Sequence, residues 1–242
     1  MSTQKIALVT GATRGIGFET VRQLAQQGAH VILAGRDNAK AVEAALQLQG
    51  EGLSVEAIAL DVVDEASIAA AAKLVEAKHG RLDILVNNAG VLSDDAKKKP
   101  SEQSLATWHK TFDTNVFGLV AVTQAFLPLL KKSDAGRIVN VSSILGSIAL
   151  HEDPKSPIYD YKIPAYNVSK SAVNAWTVQL AHELRDTDIK VNTIHPGSVK
   201  TDMNAQGALD VETGAKSSVE MALIGNDGPS GSFSHLGQPV RW

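Results

Sequence analysis

Short apolar runs alternate with helical segments along most of the chain, and this alternation constrains the fold more than any other feature of the sequence. The runs are nearly continuous in hydrophobicity, which is typical of strands buried on both faces of a parallel sheet. Helical runs end at Gly28 and Gly80, each just before a new strand, as expected of a C-terminal glycine cap. The predicted strands are KIALVT, HVILA, SVEAIAL, LDILVN, GRIVNVSS and IKVNTIHP. The sequence therefore predicts an α/β fold, a single doubly wound domain with a mostly parallel sheet of about seven strands flanked by helices.

Length and composition argue against several classes of protein. A chain of 242 residues suits a single domain over residues 1–242, and its net charge of −3 does not favour nucleic-acid binding. The sequence has no cysteine, and its seven histidines contain no H-x-x-x-H pair, so we expect no metal site. The first residues lack the features of a signal peptide, and the longest apolar stretch, GLVAVTQAFLPLL, is too short and interrupted to span a membrane. These observations favour a cytoplasmic location.

The glycine-rich segment TGATRGIG, residues 10–17, follows the first predicted strand and opens a helix. Ligands of an open parallel sheet bind beyond the carboxyl ends of its strands. Glycine lets the backbone approach a ligand closely, and a helix N-terminus offers unpaired N–H groups to a pyrophosphate. The spacing of Gly11, Gly15 and Gly17 is G-x-x-x-G-x-G and not the common G-x-G-x-x-G. A simple turn is the alternative, but the position after the first strand favours a nucleotide site.

Two arginines lie where the adenosine ribose of a dinucleotide would bind. An acid normally ends the second strand and binds the ribose hydroxyls of NAD. Here that strand ends at Gly35, and Arg36 follows; Arg14 lies inside the glycine loop. Guanidinium groups pair with a 2′-phosphate through forked hydrogen bonds, so the pattern favours NADP(H), with NAD(H) less likely. Asp37 argues the other way, and both arginines could simply be solvated.

Of the three tyrosines between residues 156 and 170, only Tyr166 has a cation four residues later, at Lys170. Positions i and i+4 share one face of a helix, so the ammonium group would lie near the phenol. A tyrosine with a pKa near 10 needs such a field to act as an acid or base at neutral pH. The Y-x-x-x-K pattern alone is weak, because most such pairs are ordinary helix residues. Tyr159 and Tyr161 are expected to pack or to line a substrate loop.

Several motifs in a fixed order make the chain resemble the short-chain dehydrogenase/reductase family, whose members have a Rossmann domain. The resemblance covers residues 5 to 240, and it implies a cofactor half of about residues 1–140 and a catalytic and substrate half of about residues 141–242. Its motifs are TGATRGIG, NNAG at residues 87–90, TN at residues 114–115, VNVSSILG at residues 139–146, YNVSK at residues 166–170 and HPGSVKTDM at residues 195–203.

The resemblance implies a role for each matching residue. Ser143 would hydrogen-bond the substrate oxygen, and Tyr166 would donate a proton to it. Lys170 would bind the nicotinamide ribose and depress the pKa of the tyrosine. Asn115, in a helix break, would position a water that links Lys170 to solvent. The cofactor-binding residues implied are Gly11, Thr13, Arg14, Gly15, Ile16, Gly17, Arg36, Asp61, Val62, Asn88, Ala89, Gly90, Tyr166, Lys170, Pro196, Gly197, Val199 and Thr201.

The chain departs from the common pattern between Ser143 and Tyr166, which are 23 residues apart where many relatives have about a dozen. The inserted segment resembles that of the carbonyl-reductase-like branch. It could wall the substrate pocket or form an exposed polar loop. Because it lies beside the catalytic helix, it leaves open whether the chain is a homo-oligomer or a monomer. Apolar residues near the site suggest an apolar pocket: Ile144, Leu145, Ile148, Leu150, Met203 and Leu209.

These observations predict an NADPH-dependent oxidoreductase that reduces a small-molecule ketone or aldehyde to an alcohol, or catalyses the reverse. One alternative is a non-catalytic NADP(H)-binding sensor on the same fold, since fold does not dictate function. A sensor would be expected to lose the tyrosine or the lysine, and both are present. Another alternative is a sugar-nucleotide epimerase, which shares Y-x-x-x-K but needs an additional substrate lobe. Partners other than small molecules, such as nucleic acid or a membrane, are not expected.

Overall fold

The computed structural model describes residues 4–242 and contains one eight-stranded sheet. The strand order is β3-β2-β1-β4-β5-β6-β7-β8, and every neighbouring pair is parallel except the β7–β8 hairpin. This confirms the predicted α/β class and the mostly parallel sheet. The strands are β1 (Ile6–Val9), β2 (His30–Gly35), β3 (Val55–Ala59), β4 (Ile84–Asn87), β5 (Arg137–Val141), β6 (Lys190–Ile194), β7 (Phe233–His235) and β8 (Gln238–Pro239).

Eight α-helices cover the two faces of the sheet within the described residues. They are α1 (Gly15–Gln26), α2 (Asn38–Gly50), α3 (Glu65–His79), α4 (Leu105–Phe112), α5 (Leu119–Leu130), α6 (Ile148–Glu152), α7 (Pro164–Glu183) and α8 (Val211–Leu223). Asp37 and Asp64 cap α2 and α3 by accepting hydrogen bonds from backbone N–H groups of their first turns. The first strands and helices follow each other as the alternating sequence pattern predicts.

The sheet separates two hydrophobic layers, and β1 shows why its strands read as continuous apolar runs. Ala7 and Val9 face the layer that contains side chains of α1, α2 and α8, whereas Leu8 faces the layer of α3, α5 and α7. Successive side chains of a strand point to opposite faces, so a strand covered by helices on both sides needs apolar residues at every position. The sequence pattern is therefore a direct consequence of burial on both faces.

The run of helix from Leu105 to Leu130 is long and apolar enough to cross a membrane by length and composition alone. Its C-terminal part, α5, places Val122, Phe126 and Leu130 in the core layer that it shares with α3 and α7. A core helix of a globular domain passes the same composition test. The burial of these side chains accounts for the hydrophobicity of the run.

Two long connections follow the strands on the carboxyl side of the sheet. The segment before α7 is partly ordered into a 3₁₀ turn, Ile144–Gly146, and the short helix α6. The C-terminal tail forms β7 beside β6. The carbonyl of Trp242 accepts hydrogen bonds from the Ala149 N–H and the Ser147 hydroxyl. The tail thus fixes the start of α6 against the sheet.

Candidate active site

The glycine loop between β1 and α1 has the conformation that close approach to a ligand requires. Gly11 and Gly15 have φ angles of 62° and 58°, in the left-handed region that favours glycine. Helix α1 begins at Gly15, and the Arg14 side chain makes no capping hydrogen bond. The first N–H groups of α1 therefore lack a side-chain partner, which fits a pyrophosphate.

The segment NNAG, after β4, packs directly against the glycine loop. The side-chain amide of Asn88 donates to the carbonyls of Thr10 and Gly11 at 2.9 and 3.1 Å. The Thr10 hydroxyl in turn accepts from the N–H groups of Asn88 and Ala89, both at 3.1 Å. A β-carbon on Gly17 would lie 2.4 Å from the Asn88 amide nitrogen. Close packing, and not only access to a ligand, thus requires glycine at position 17.

The two arginines expected to distinguish NADP(H) from NAD(H) are exposed, one in the glycine loop and one after β2. Arg36 is exposed, and Arg14 is exposed but forms an ion pair with Asp202 at 2.7 Å. Asp37, the residue that argued for NAD(H), accepts hydrogen bonds from the N–H groups of Ala39 and Lys40 at 3.0 and 3.2 Å. Its carboxylate is engaged at the N-terminus of α2. Asp37 therefore caps α2, whereas Arg36 stays exposed beside it.

The remaining residues expected to bind the cofactor lie around the same edge of the sheet. The Asp61 carboxylate accepts from the Val63 N–H at 3.2 Å, and Val62 is buried below it. Thr13 lies against Gly35, where a β-carbon would approach its methyl group to 2.5 Å. Ile16 lies in the first turn of α1. These positions form a continuous rim along the ends of β1, β2 and β3.

The connection after β6 crosses over the glycine loop. Pro196 is buried and Gly197 has a φ angle of 93°. Val199 forms an isolated bridge with Leu209, and Thr201 has its methyl group 3.7 Å from the place of a β-carbon on Gly15. The structure therefore brings the HPGSVKTDM motif next to the glycine loop.

Helix α7 places Tyr166 and Lys170 on one face, as their spacing predicts. Lys170 is 4% exposed, and its ammonium group donates to the Val141 carbonyl at 2.8 Å. The ammonium nitrogen lies 5.6 Å from the centroid of the Tyr166 ring. A β-carbon on Gly90 would be 3.6 Å from the same nitrogen. The lysine therefore lies where the end of β5, the NNAG turn and the catalytic helix meet.

Ser143 lies just beyond the end of β5, opposite Tyr166. Its hydroxyl accepts from the Leu145 N–H at 3.1 Å and so begins the 3₁₀ turn, and it lies near enough to the phenol of Tyr166 to lower the pKa of that group. Ser142, predicted to point the other way, is buried and donates to the Lys170 carbonyl. The two serines thus have the opposite orientations that an extended chain gives to neighbours.

Burial dominates the pKa values of both members of the pair. Burial raises the pKa of Tyr166 to about 12, and the nearby Ser143 hydroxyl opposes this only in part. Burial also lowers the pKa of Lys170 to about 8, because the charged ammonium group loses its hydration. The lysine gives its hydrogen bond to Val141 and not to the phenol. In this arrangement Tyr166 keeps its proton at neutral pH.

Asn115 lies in a π-helical segment, Asp113–Gly118, between α4 and α5, so the expected helix break is present. Its side chain is buried, donates to the Val91 carbonyl and the Ser169 hydroxyl, and accepts from the Val91 N–H. The amide therefore connects the NNAG turn to α7. A residue that would hold a water here also has a direct structural role.

Two residues that the sequence reasoning missed support the catalytic helix. The Asp94 carboxylate accepts hydrogen bonds from the N–H groups of Ala165 and Tyr166 at 2.8 and 3.0 Å, and thereby caps α7 from 71 residues away. Gly146 packs so tightly on α7 that a β-carbon would lie 2.7 Å from the Lys170 carbonyl carbon. Neither contact has a local sequence signal, because both join segments that are distant in the chain.

The comparisons with known proteins agree with the fold and the motifs. A family model described as short chain dehydrogenase matches residues 5–211. The chain is 37% identical to (+)-neomenthol dehydrogenase of Arabidopsis thaliana over 285 aligned residues, 96% of each protein. Salutaridine reductase from Papaver somniferum superimposes with a TM-score of 0.83 at 32% identity, over 96% of this chain and 99% of that one. A short chain dehydrogenase from Escherichia coli in complex with NADPH gives 0.82 at 30% identity, over 96% and 95%.

Proposed function

Because this chain belongs to the short-chain dehydrogenase/reductase family and is an oxidoreductase of its reductase-like branch, we propose that it reduces a ketone or aldehyde to an alcohol with NADPH. The observation that carries the proposal is the meeting of Ser143, Tyr166 and Lys170 at the carboxyl end of β5. The Ser143 hydroxyl lies near the phenol, so one carbonyl oxygen could accept from both groups. This is the geometry that general acid catalysis needs.

Each polar group has a task that follows from its position. Ser143 orients the carbonyl oxygen, and Tyr166 donates its proton to that oxygen as the alcohol forms. The ammonium group of Lys170 is fixed by Val141 beside the phenol, where its charge favours the phenolate left after proton transfer. NADPH, when bound, supplies the hydride, and the chain's own residues supply position and field. Asn115 holds the turn after β4 against α7.

The preference for NADPH over NADH rests on the end of β2. Arg36 and Arg14 are exposed, and a 2′-phosphate would accept forked hydrogen bonds from such guanidinium groups. Asp37 is occupied at the start of α2 by two backbone N–H groups, so its carboxylate is less free to hold ribose hydroxyls. The structure of the Escherichia coli relative in complex with NADPH is consistent with this choice.

The substrate that we propose is an apolar ketone of small to medium size. The relatives named for neomenthol and salutaridine suggest compact ring-containing substrates. The segment before α7 carries an exposed Ile148, and Met203 in the connection after β6 is exposed as well. Apolar side chains that remain uncovered in the segments that follow β5 and β6 are suited to contact an apolar ligand. A cytoplasmic location, the division of the chain into cofactor and substrate halves and the oligomeric state stay predictions.

The experiment that tests the proposal compares the wild type with Tyr166→Phe. Purified protein is mixed with NADPH and a panel of cyclic ketones, aldehydes, α-diketones and keto esters, and NADPH consumption is followed. We expect turnover by the wild type, and a loss of about 10²–10⁴-fold in kcat for Tyr166→Phe, which is the contribution of a positioned acid. NADPH binding, measured by fluorescence, should be unchanged. Equal turnover by both proteins would refute the role of Tyr166, and tight NADPH binding without any turnover would favour the sensor.

A further inference from the structure

His30, Glu56 and His79 form a cluster at the opposite end of the sheet from the active site. His30 is the first residue of β2, Glu56 lies in β3 and His79 is the last residue of α3. One ligand atom from each side chain lies within 4.8 Å of the other two. The proposed redox chemistry uses none of these groups. Their spacing in sequence shows no H-x-x-x-H pattern, because they come from three separate elements.

One distance in the cluster is close to that between two ligands of a tetrahedral metal site, and another is that of a hydrogen bond. His79 Nε2 is 2.6 Å from Glu56 Oε1, and His30 Nε2 is 3.5 Å from the same oxygen. Ligands at about 2.0–2.2 Å from zinc lie about 3.3 Å apart at a tetrahedral angle. Small side-chain movements would therefore bring both nitrogens and the oxygen to one ion. Two imidazoles and one carboxylate are also a donor set that zinc accepts with a water as fourth ligand.

The hydrogen bonds of His30 leave one ring nitrogen free for an ion. His30 Nδ1 is 2.8 Å from the Ser54 hydroxyl, whereas Nε2 is buried and has no hydrogen-bond partner within residues 4–242. If Nδ1 carries the proton, Nε2 directs a lone pair towards the Glu56 oxygen, and two acceptors then face each other. A cation between them removes this conflict. An outer hydrogen bond of the kind made by Ser54 orients metal-binding histidines in proteins.

The charges and the exposure of the cluster permit binding. The Glu56 carboxylate faces two imidazole rings and the ammonium group of Lys78. The three side chains are 11–20% exposed, which leaves a path for an ion and for a coordinating water. Lys78, which is largely exposed, pairs with the other oxygen of Glu56. Its ammonium group competes with a cation for the carboxylate.

We propose that His30, Glu56 and His79 bind one divalent transition-metal ion of the zinc type at the amino end of β2 and β3. Such an ion would connect the end of α3 to two strands and stabilise this corner of the sheet. The proposal does not depend on the redox function, and turnover does not test it.

The test uses the full chain with its affinity tag removed and residual metal stripped by a chelator. Titration with ZnCl₂ in a calorimeter should show one ion per chain, and CoCl₂ should produce the visible absorption bands of a low-coordinate cobalt site. Thermal unfolding should shift to higher temperature with zinc. His30→Ala and His79→Ala should each weaken zinc binding by more than about tenfold, because even outer partners of a ligand contribute about 10–100-fold. His182→Ala, at an exposed histidine on α7, is the matched control and should bind as the wild type does.

Lys78→Gln keeps the test decisive if a histidine variant does not fold. This exposed change removes the competing ammonium group and should tighten zinc binding several-fold. The absence of zinc binding by the wild type would overturn the proposal, and so would equal affinities of the two histidine variants and His182→Ala. Unchanged or weaker binding by Lys78→Gln would exclude Glu56 as a ligand and overturn the site as described. In each of these cases the cluster would be a hydrogen-bonded group only.

Discussion

Replacing Asp94 by alanine should reduce catalysis more than its distance along the chain from the motifs suggests. The carboxylate accepts from the N–H groups of Ala165 and Tyr166, which are the second and third residues of α7. Loss of an N-terminal cap destabilises a helix by about 0.5–2 kcal/mol. The first turn of α7, which would fray without this cap, contains Tyr166, the proposed proton donor.

The magnitude follows from these contacts. Unfolding entropy is about 2.1 cal/mol/K per residue, so for a chain of 242 residues a loss of about 1–2 kcal/mol lowers Tm by about 2–4 °C. If the same free energy is lost from the alignment of Tyr166, kcat falls about five- to thirtyfold. The KM for NADPH should stay within about twofold, because no contact of Asp94 reaches the glycine loop. Asp94→Asn retains one acceptor oxygen, so its kcat and Tm should lie between those of the wild type and those of Asp94→Ala.

The assay measures kcat, KM and Tm for Asp94→Ala, Asp94→Asn and a matched control, Asp95→Ala. Asp95 is exposed and accepts only from the Lys97 N–H through its carboxylate, so its loss affects a local turn. If Asp94→Ala has the same kcat as Asp95→Ala, the cap does not position Tyr166. If kcat and the KM for NADPH change together, Asp94 acts on the whole fold and not on α7.

Three further predictions test other parts of the site. In initial-rate assays, Arg36→Ala should raise the KM for NADPH about 10–100-fold and leave the KM for NADH within about twofold, since a charged hydrogen bond contributes about 1.5–3 kcal/mol. Equal effects on the two KM values would place the 2′-phosphate elsewhere. Gly17→Ala should lose about 1–3 kcal/mol through its clash with Asn88, whereas Gly50→Ala, with nothing within 4 Å of the new β-carbon, should not lower Tm. Burial lowers the pKa of Lys170 from 10.5 to about 8, so the unfolded chain binds more protons than the folded chain between these pH values, and the free energy of unfolding should rise with pH there. Denaturant titrations of Lys170→Met should lack this rise. A rise in Lys170→Met as large as that of the wild type would refute the prediction.

Which parts of the site could be predicted depends on whether their signal is local. The shared helix face of Tyr166 and Lys170 is predictable because an i, i+4 spacing reports it directly, whereas their catalytic roles are predicted only through the ordered family motifs. Gly17 was found through its motif, although the Asn88 contact that requires it is invisible in sequence. The parallel strands were predicted because burial on both faces leaves a continuous apolar pattern, whereas the three-residue β7 is too short to show one.

Contacts between distant segments could not be predicted in the same way. Asp94 caps a helix that begins 70 residues later, and an aspartate in a polar loop looks like any other solvated acid. The burial of Tyr166, which raises the pKa of its phenol, is likewise not visible in the sequence, since spacing reports only the nearby cation. Burial depends on how the 3₁₀ turn, α7 and the end of β5 pack, and no window of sequence contains all three.

Strand β2 connects the two sites that we propose, and its geometry explains why they can be tested separately. His30 begins the strand, and Arg36 follows its last residue, Gly35. At about 3.3 Å per residue, the two ends lie about 17–20 Å apart, well beyond the Debye length of about 8 Å at physiological ionic strength. A divalent ion at His30 would therefore add little to the field at the 2′-phosphate site. Its effect should appear in the stability of the β2–β3 corner, and the affinity for NADPH should not change when zinc is added.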